Sequence, residues 1–220
     1  MRNKFDPSEI PPAPDLSFER NLWSNNVQFV AGIDEAGRGA WAGPVYAAAV
    51  ILPEDPTIES KLTGVRDSKQ ISAIKRTQLA LVVRQFALAW AVAYADASEI
   101  DELGILPANR LAMMRAVKAL RTQPEHLLID ALFLPDMELG QTSLIKGDQR
   151  SLSIAAASIL AKTERDAWMI SAHERYPAYR FDLHKGYGTK THQLGLSREG
   201  ICDLHRKTYK PIFDLINKKA

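Results

Sequence analysis

Hydrophobic and polar positions along this chain follow two rhythms, and the switch between them marks out its elements. Residues 28–34 and 45–52 are runs of apolar and β-branched residues separated by a Gly-rich turn, which predicts two neighbouring antiparallel strands joined by Gly37-Arg38-Gly39. From Ser72 to about Ala87 the apolar positions recur at helical spacing, with Ser72 placed to cap the first turn, and residues 89–94 return to an extended pattern. A second helix is expected over 106–120, short strands over 126–130 and 143–146, and a long helix from Ser151 to about His173. Its Ala155-Ala156-Ala157 run lets a helix lie close against a sheet. Strands first, then helices alternating with strands, give an α/β fold with a mixed sheet flanked by helices.

The two ends break the pattern. Residues 1–27 carry prolines at 7, 11, 12 and 14, mixed charge and no sustained period, and read as a loosely ordered extension. One α/β domain is expected over residues 28–175. From 176 to 220, short helical pieces punctuated by Gly, Pro and basic residues read as a small C-terminal helical appendage.

A length of 220 residues suits one domain with a small addition. The formal charge is only +2, but residues 180–220 hold nine Lys or Arg against four Asp or Glu, a balance of +5 that leaves −3 for the remainder. Basic charge gathered away from acidic charge suggests a polyanionic partner; a solvated basic tail is the plain alternative. Cys202 stands alone, so no intramolecular disulfide can form and a Cys-based zinc site is disfavoured, in keeping with a reducing cytoplasm. The N-terminus lacks an apolar stretch of signal-peptide length, and the longest apolar stretch, near residues 79–95, is interrupted by Arg84 and Gln85. A cytoplasmic protein with no membrane association is expected.

Chemistry enters through four acids, Asp34, Glu35, Asp130 and Asp148, which sit in or at the end of short apolar segments instead of on a helix face. Desolvated carboxylates that converge repel one another at neutral pH, and a divalent cation relieves the repulsion. They predict a magnesium-dependent phosphoryl-transfer site. Consecutive strand residues point to opposite faces, so Asp34 and Glu35 can serve one site only if the chain twists or bulges there. Asp166, four residues after Lys162 on the long helix, reads as one half of a surface pair. Asp67 is assigned to positioning, and the five histidines lack metal-ligand spacing.

Ala31-Gly32-Ile33-Asp34-Glu35-Ala36-Gly37-Arg38-Gly39 followed by Ala42-Gly43-Pro44-Val45 resembles the opening motif of the prokaryotic type 2 ribonuclease H (ribonuclease HII) family. Asp67-Ser68-Lys69, Ile129-Asp130, Lys146-Gly147-Asp148, residues 155–162 and His184-Lys185-Gly186-Tyr187-Gly188-Thr189 continue the resemblance in the family's order, over roughly 28–195. Departures are Ala40-Trp41 in place of Pro and a smaller apolar residue, Ala131 where Gly is common, and Gly104 where Asn is common.

The resemblance implies a ribonuclease H-like fold and an endoribonuclease that cleaves the RNA strand of RNA–DNA hybrids and single ribonucleotides embedded in duplex DNA. It implies two-metal hydrolysis with Mg2+ or Mn2+, leaving 3′-hydroxyl and 5′-phosphate ends. In that scheme Asp34 bridges the ions, Asp148 holds the water-activating one, and Glu35 and Asp130 hold the other. Gly37, Arg38 and Gly39 sense the 2′-hydroxyl and Tyr187 packs on the following deoxyribose. From their own charge and place, Lys69 and Lys185 are expected to contact phosphates, and a monomer is expected. The alternatives left open are another ribonuclease H-like nuclease, such as the type 3 enzyme or a junction resolvase, and a non-catalytic hybrid-binding protein.

Overall fold

The computed structural model describes residues 6–7 and 10–217, so parts of the expected N-terminal extension and the final basic residues lie outside it. Among the described residues, one sheet of five strands runs in the order β3-β2-β1-β4-β5, with β1 Val30–Ala36, β2 Val45–Ile51, β3 Ala89–Ala95, β4 His126–Asp130 and β5 Gly140–Leu144. β1 pairs antiparallel with β2, and β2 with β3, while β4 and β5 run parallel to β1. This is the mixed sheet expected from the pattern.

Both faces of the sheet are covered, which is why β2 reads as an unbroken apolar run and is buried at every position. On one face Ala31, Ile33, Leu127 and Ile129 join the helix α5 Ile105–Lys118 through Ala112, Met113 and Ala116. On the other, Ala48 and Val50 meet the long helix α6 Leu152–Arg175 and the helix α3 Ala73–Phe86. Gly32 makes the α6 approach possible. A Cβ there would lie 2.2 Å from the backbone carbon of Ser153, so any side chain would push α6 off β1.

Ser72 caps α3 as expected, its Oγ accepting from Lys75 N–H at 3.3 Å, and Ser151 caps α6 in the same way. The last strand, expected at 143–146, lies at 140–144. Its sequence, Gly-Gln-Thr-Ser-Leu, is polar because β5 is an edge strand with one covered neighbour, so apolarity misplaced it. Two further helices are the short α2 Ile58–Lys61 and α4 Ala97–Leu103, which opens on a capping box between Asp96 and Glu99.

The N-terminal segment departs most from expectation. Residues 17–23 form the helix α1, Leu16 and Glu19 are buried, and Asp15 bonds the backbone of Arg150 and Leu152. Between 176 and 217, the helices α7 Phe181–His184, α8 Lys190–Glu199 and α9 Lys210–Asn217 gather around Ala42, Met169, Tyr179 and Phe181, giving the helical appendage expected there. Two departures from the family pattern fall where φ is positive: Ala131 at +50° and Gly104 at +83°. Both sites favour Gly or Asn, which accounts for the residue types the family places there. No helix among the described residues is long and apolar enough to cross a membrane.

Candidate active site

The carboxyl ends of β1 and β4 are adjacent because Ile33 pairs with Ile129, so the next residue on each strand is an aspartate. Asp34 shares the α6 face with Gly32, and Asp130 shares it with Leu128. Asp148 comes from the short 3-10 turn Gly147–Gln149 that leads into α6. That turn is tied to β4, since Gly147 N–H donates to Asp130 Oδ1 at 2.7 Å. A Cβ on Gly147 would lie 2.7 Å from Ile154 Cδ1, so the turn packs tightly under the site.

Electrostatics show how closely these acids are placed. Burial, then the charges of Glu35, Asp130 and Asp148, hold Asp34 well above the usual carboxylate range. Burial also raises Asp130, with Glu35 adding to it and the Gly147 N–H, Lys69 and Arg38 opposing. Burial, Asp67 and Asp130 push Asp148 up to about 7, against the opposing charge of Lys69. For Lys69, burial works against the charge, but Asp34, Asp67, Asp148 and Asp130 together raise it. Lys69 is therefore a cation held within the acidic cluster.

Glu35 stands apart in orientation. The β1–β2 register runs without a bulge through Ala36, so Glu35 follows Asp34 onto the other side of the strand end. Its Oε1 accepts from Arg38 Nη1 at 3.1 Å, while its Oε2 is buried without a hydrogen-bond partner. Among the described residues, no three His, Cys, Asp or Glu side chains are already gathered closely enough to hold an ion. The donor set nevertheless suits a hard divalent cation: oxygen only, anionic, mutually repelling and with one buried oxygen unsatisfied.

Beside the acids lies a cleft of about 590 Å³, lined by Glu35 to Gly39, Ser68, Lys69, Arg76, Lys162 and Tyr187. Gly37 takes φ +99°, and a Cβ on it would fall 1.9 Å from Arg165 Nε. Arg165 is fully buried and donates to the carbonyls of Pro44 and Ala42, at 2.9 and 3.2 Å. Arg206, equally buried, donates to the carbonyls of Gly43 and Arg38, at 3.0 and 2.9 Å. Arg206 thus holds the Gly-Arg-Gly loop by the Arg38 carbonyl, while Arg165 packs against Gly37 and holds the Ala42–Pro44 segment that follows, leaving the Arg38 side chain and Gly39 exposed. Lys162 and Arg165 flank the Tyr187 ring at 5.6 and 5.4 Å, a cation–π arrangement. Trp41 packs under the Tyr187 loop, where Gly188 leaves room for its ring.

Most of the expected residues meet here, with differences. Lys185 does not line the cleft; its ammonium bonds the carbonyls of Asp182 and Leu183. Asp166 is not a surface pair: it accepts from Lys162 at 2.7 Å and from Arg76 at 3.2 Å, partly buried between α6 and α3. Arg76 and Lys162 are cleft residues the sequence did not single out. Asp67 bonds Lys69 N–H at 2.9 Å and raises Asp148, so it is part of the cluster's field.

The ribonuclease HII family model matches residues 31–214. The chain is 46% identical over 216 residues to ribonuclease HII of Syntrophomonas wolfei, covering 98% of this chain and 83% of that protein. It is 48% identical over 206 residues to ribonuclease HII of Chloroflexus aurantiacus, covering 92% and 96%. In fold it is similar to ribonuclease H2 from Pyrococcus horikoshii, with a TM-score of 0.74 at 23% identity, over 86% of this chain and 98% of that one. With matches of this extent running through Asp34, Asp130, Asp148 and Tyr187, the chain belongs to the ribonuclease HII family.

Proposed function

We propose that this protein is an endoribonuclease that cleaves the RNA strand of RNA–DNA hybrids, and single ribonucleotides embedded in duplex DNA, at the carboxyl ends of β1 and β4. The observation that carries this reading is the acidic cluster beside the cleft: Asp130 and Asp148 raise Asp34, Asp130 raises Asp148, and Lys69 stands among them. Buried carboxylates kept at such cost suit a divalent metal site; Asp34, Asp130 and Asp148 would hold the ions, Mg2+ or Mn2+, and Glu35, across the strand end yet close enough to raise both Asp34 and Asp130, would join them from the cleft side. When bound, such ions supply an activated water and stabilise the leaving 3′-oxygen, giving 3′-hydroxyl and 5′-phosphate ends.

The chain's own residues supply recognition. Lys69, Arg76 and Lys162 line the cleft as cations for the phosphate backbone. The Gly37–Gly39 backbone, bonded by Arg206 at the Arg38 carbonyl and backed by Arg165 at Gly37, is an edge at which a 2′-hydroxyl can be bonded; that group separates RNA from DNA. Tyr187 offers a ring whose face is fixed by two cations and which suits packing against a deoxyribose.

The test is a duplex DNA carrying one ribonucleotide, labelled at its 5′ end, with and without magnesium. Cleavage only with the ion, leaving a 3′-hydroxyl, is expected. Binding without cleavage in either magnesium or manganese would overturn the reading in favour of a hybrid-binding protein.

A further inference from the structure

Three histidines that the acidic site does not use lie buried together in the C-terminal appendage. His192 stacks on His184 at 4.6 Å and lies tilted against His205 at 5.2 Å, and Phe181 and Tyr179 close around them. Their hydrogen bonds determine their tautomers. Cys202 N–H donates to His205 Nδ1 at 2.9 Å, which leaves His205 Nε2 as the protonated nitrogen. It faces His192 Nε2 at 3.0 Å, and two ring nitrogens at that distance require one donor and one acceptor. His192 Nε2 accepts, so His192 Nδ1–H is left to donate to the Tyr187 carbonyl at 3.0 Å. His184 completes the loop separately, accepting from Gly186 N–H at 3.2 Å and facing the Tyr179 carbonyl at 2.6 Å.

Each ring nitrogen therefore has a partner and none is spare for a metal ion. The chain has a direction, from the backbone after α8 through two imidazoles to the backbone oxygen of Tyr187. Gly186, next to it, accepts from Trp41 N–H at 2.8 Å, so the same loop is joined to the strand connection that carries Gly37-Arg38-Gly39. Tyr187 N–H donates to the His184 carbonyl at 3.0 Å and its carbonyl also accepts from Thr189 N–H at 2.8 Å, so the His192 bond is the one that ties this turn to the buried histidines of the appendage.

We propose that His205 and His192 are positioning residues for substrate recognition, a relay of neutral imidazoles that sets where the Tyr187 ring stands against the Gly-Arg-Gly loop. The proposal rests on the reading that Tyr187 contacts the deoxyribose beside the scissile ribonucleotide. Burial holds both imidazoles down to about 4, so the relay is neutral throughout the neutral range.

The full-length chain is tested with H205Q, H205L, H192N and H192F. Gln at 205 can replace the Nε2–H donor, and Asn at 192 the donor to Tyr187, whereas Leu and Phe can do neither. Expected is a KM for a duplex with one ribonucleotide raised about tenfold in H205L and H192F, with kcat changed by less than about threefold. KM for a continuous hybrid should rise less, and H205Q should stay within about threefold of the unsubstituted protein. Nitrogen-15 spectra should show His205 protonated at Nε2 and His192 at Nδ1. The proposal is overturned if H205Q is as impaired as H205L, if H205L keeps the original KM, or if the spectra show the opposite tautomers. Should H205L fail to fold, H205Q and H192N with the spectra decide the matter. An unsubstituted protein that cuts neither duplex would instead overturn the functional reading on which the role of Tyr187 rests.

Discussion

Glu19 accepts from both the backbone N–H and the hydroxyl of Ser153, at 3.0 and 2.5 Å, across a separation of 134 residues. The same Oε1 accepts from Ser151 Oγ at 2.7 Å. A carboxylate from α1 thus caps the first turn of α6, where unpaired N–H groups and the helix dipole favour negative charge. Because Asp148 lies three residues before Ser151, this cap also secures the turn that carries Asp148. Glu19→Ala should therefore lower unfolding stability by about 2 kcal/mol, from a lost cap and stranded buried hydroxyls. Urea denaturation measures it. A loss below about 0.5 kcal/mol would show that α1 is dispensable to the catalytic domain.

Asp34→Asn keeps the shape and the acceptor for Glu35 N–H, at 2.7 Å in the native chain, but removes one buried charge from a repelling set. Without metal, the thermal midpoint should stay level or rise, since burial and three neighbouring carboxylates disfavour the ionised form. Activity in magnesium should fall by roughly two orders of magnitude or more. Asp130→Asn should behave alike. Near-normal turnover in Asp34→Asn would remove this residue from the metal site.

The strands, the long helix and the acids were legible because their signals are local: apolar runs, a cap at Ser72, and carboxylates where a strand ends. Glu19 was not, because its role depends on a partner 134 residues away, and a proline-rich stretch with no period gives no hint of a buried contact. Arg76 and Lys162 fall at ordinary helical positions; only the packing of α3 on α6 joins them through Asp166 and turns them to the cleft. The histidines misled by spacing. Their spacing along the chain gave no sign of a cluster, yet His192 and His205 meet through the fold of the appendage as hydrogen-bonding groups. Lys185 next to Tyr187 looked like a phosphate contact, but its positive φ of 53° turns the chain so that its ammonium reaches nearby carbonyls.

Stability should depend on pH with two opposing signs. His192 and His205 have folded values of about 4, below the unfolded value of 6.5, so the unfolded chain takes up more protons between these limits. Their contribution is complete above 6.5 and is lost as pH falls towards 4. Asp148, pushed up to about 7 from 3.8, does the reverse: the metal-free fold loses stability as pH rises from 3.8 to 7. Magnesium binds the ionised carboxylates and should remove that second loss. Midpoints recorded from pH 4 to 8 should therefore diverge with and without magnesium as pH rises. Curves that stay parallel would show that the cluster binds no magnesium in this range.

Gly37 and Gly39 separate the two ways in which a glycine can matter. Gly37 has φ +99°, and its Cβ would strike Arg165, whose guanidinium cannot withdraw without releasing the carbonyls of Pro44 and Ala42. Gly37→Ala should cost about 1–2 kcal/mol from the left-handed backbone alone, with more from displacing Arg165. Gly39 has no heavy atom within 4 Å of its ideal Cβ and no positive φ, so Gly39→Ala should change stability by less than about 0.5 kcal/mol. Any loss of cleavage in Gly39→Ala must then come from the substrate side, where an added methyl blocks close approach of a ribose to the backbone. Cleavage of a lone embedded ribonucleotide should drop about tenfold or more in Gly39→Ala at unchanged thermal midpoint, while Gly37→Ala lowers both together. Full activity in Gly39→Ala would mean that the 2′-hydroxyl is read elsewhere, and the remaining candidates would be the Gly37 N–H and the exposed side chain of Arg38.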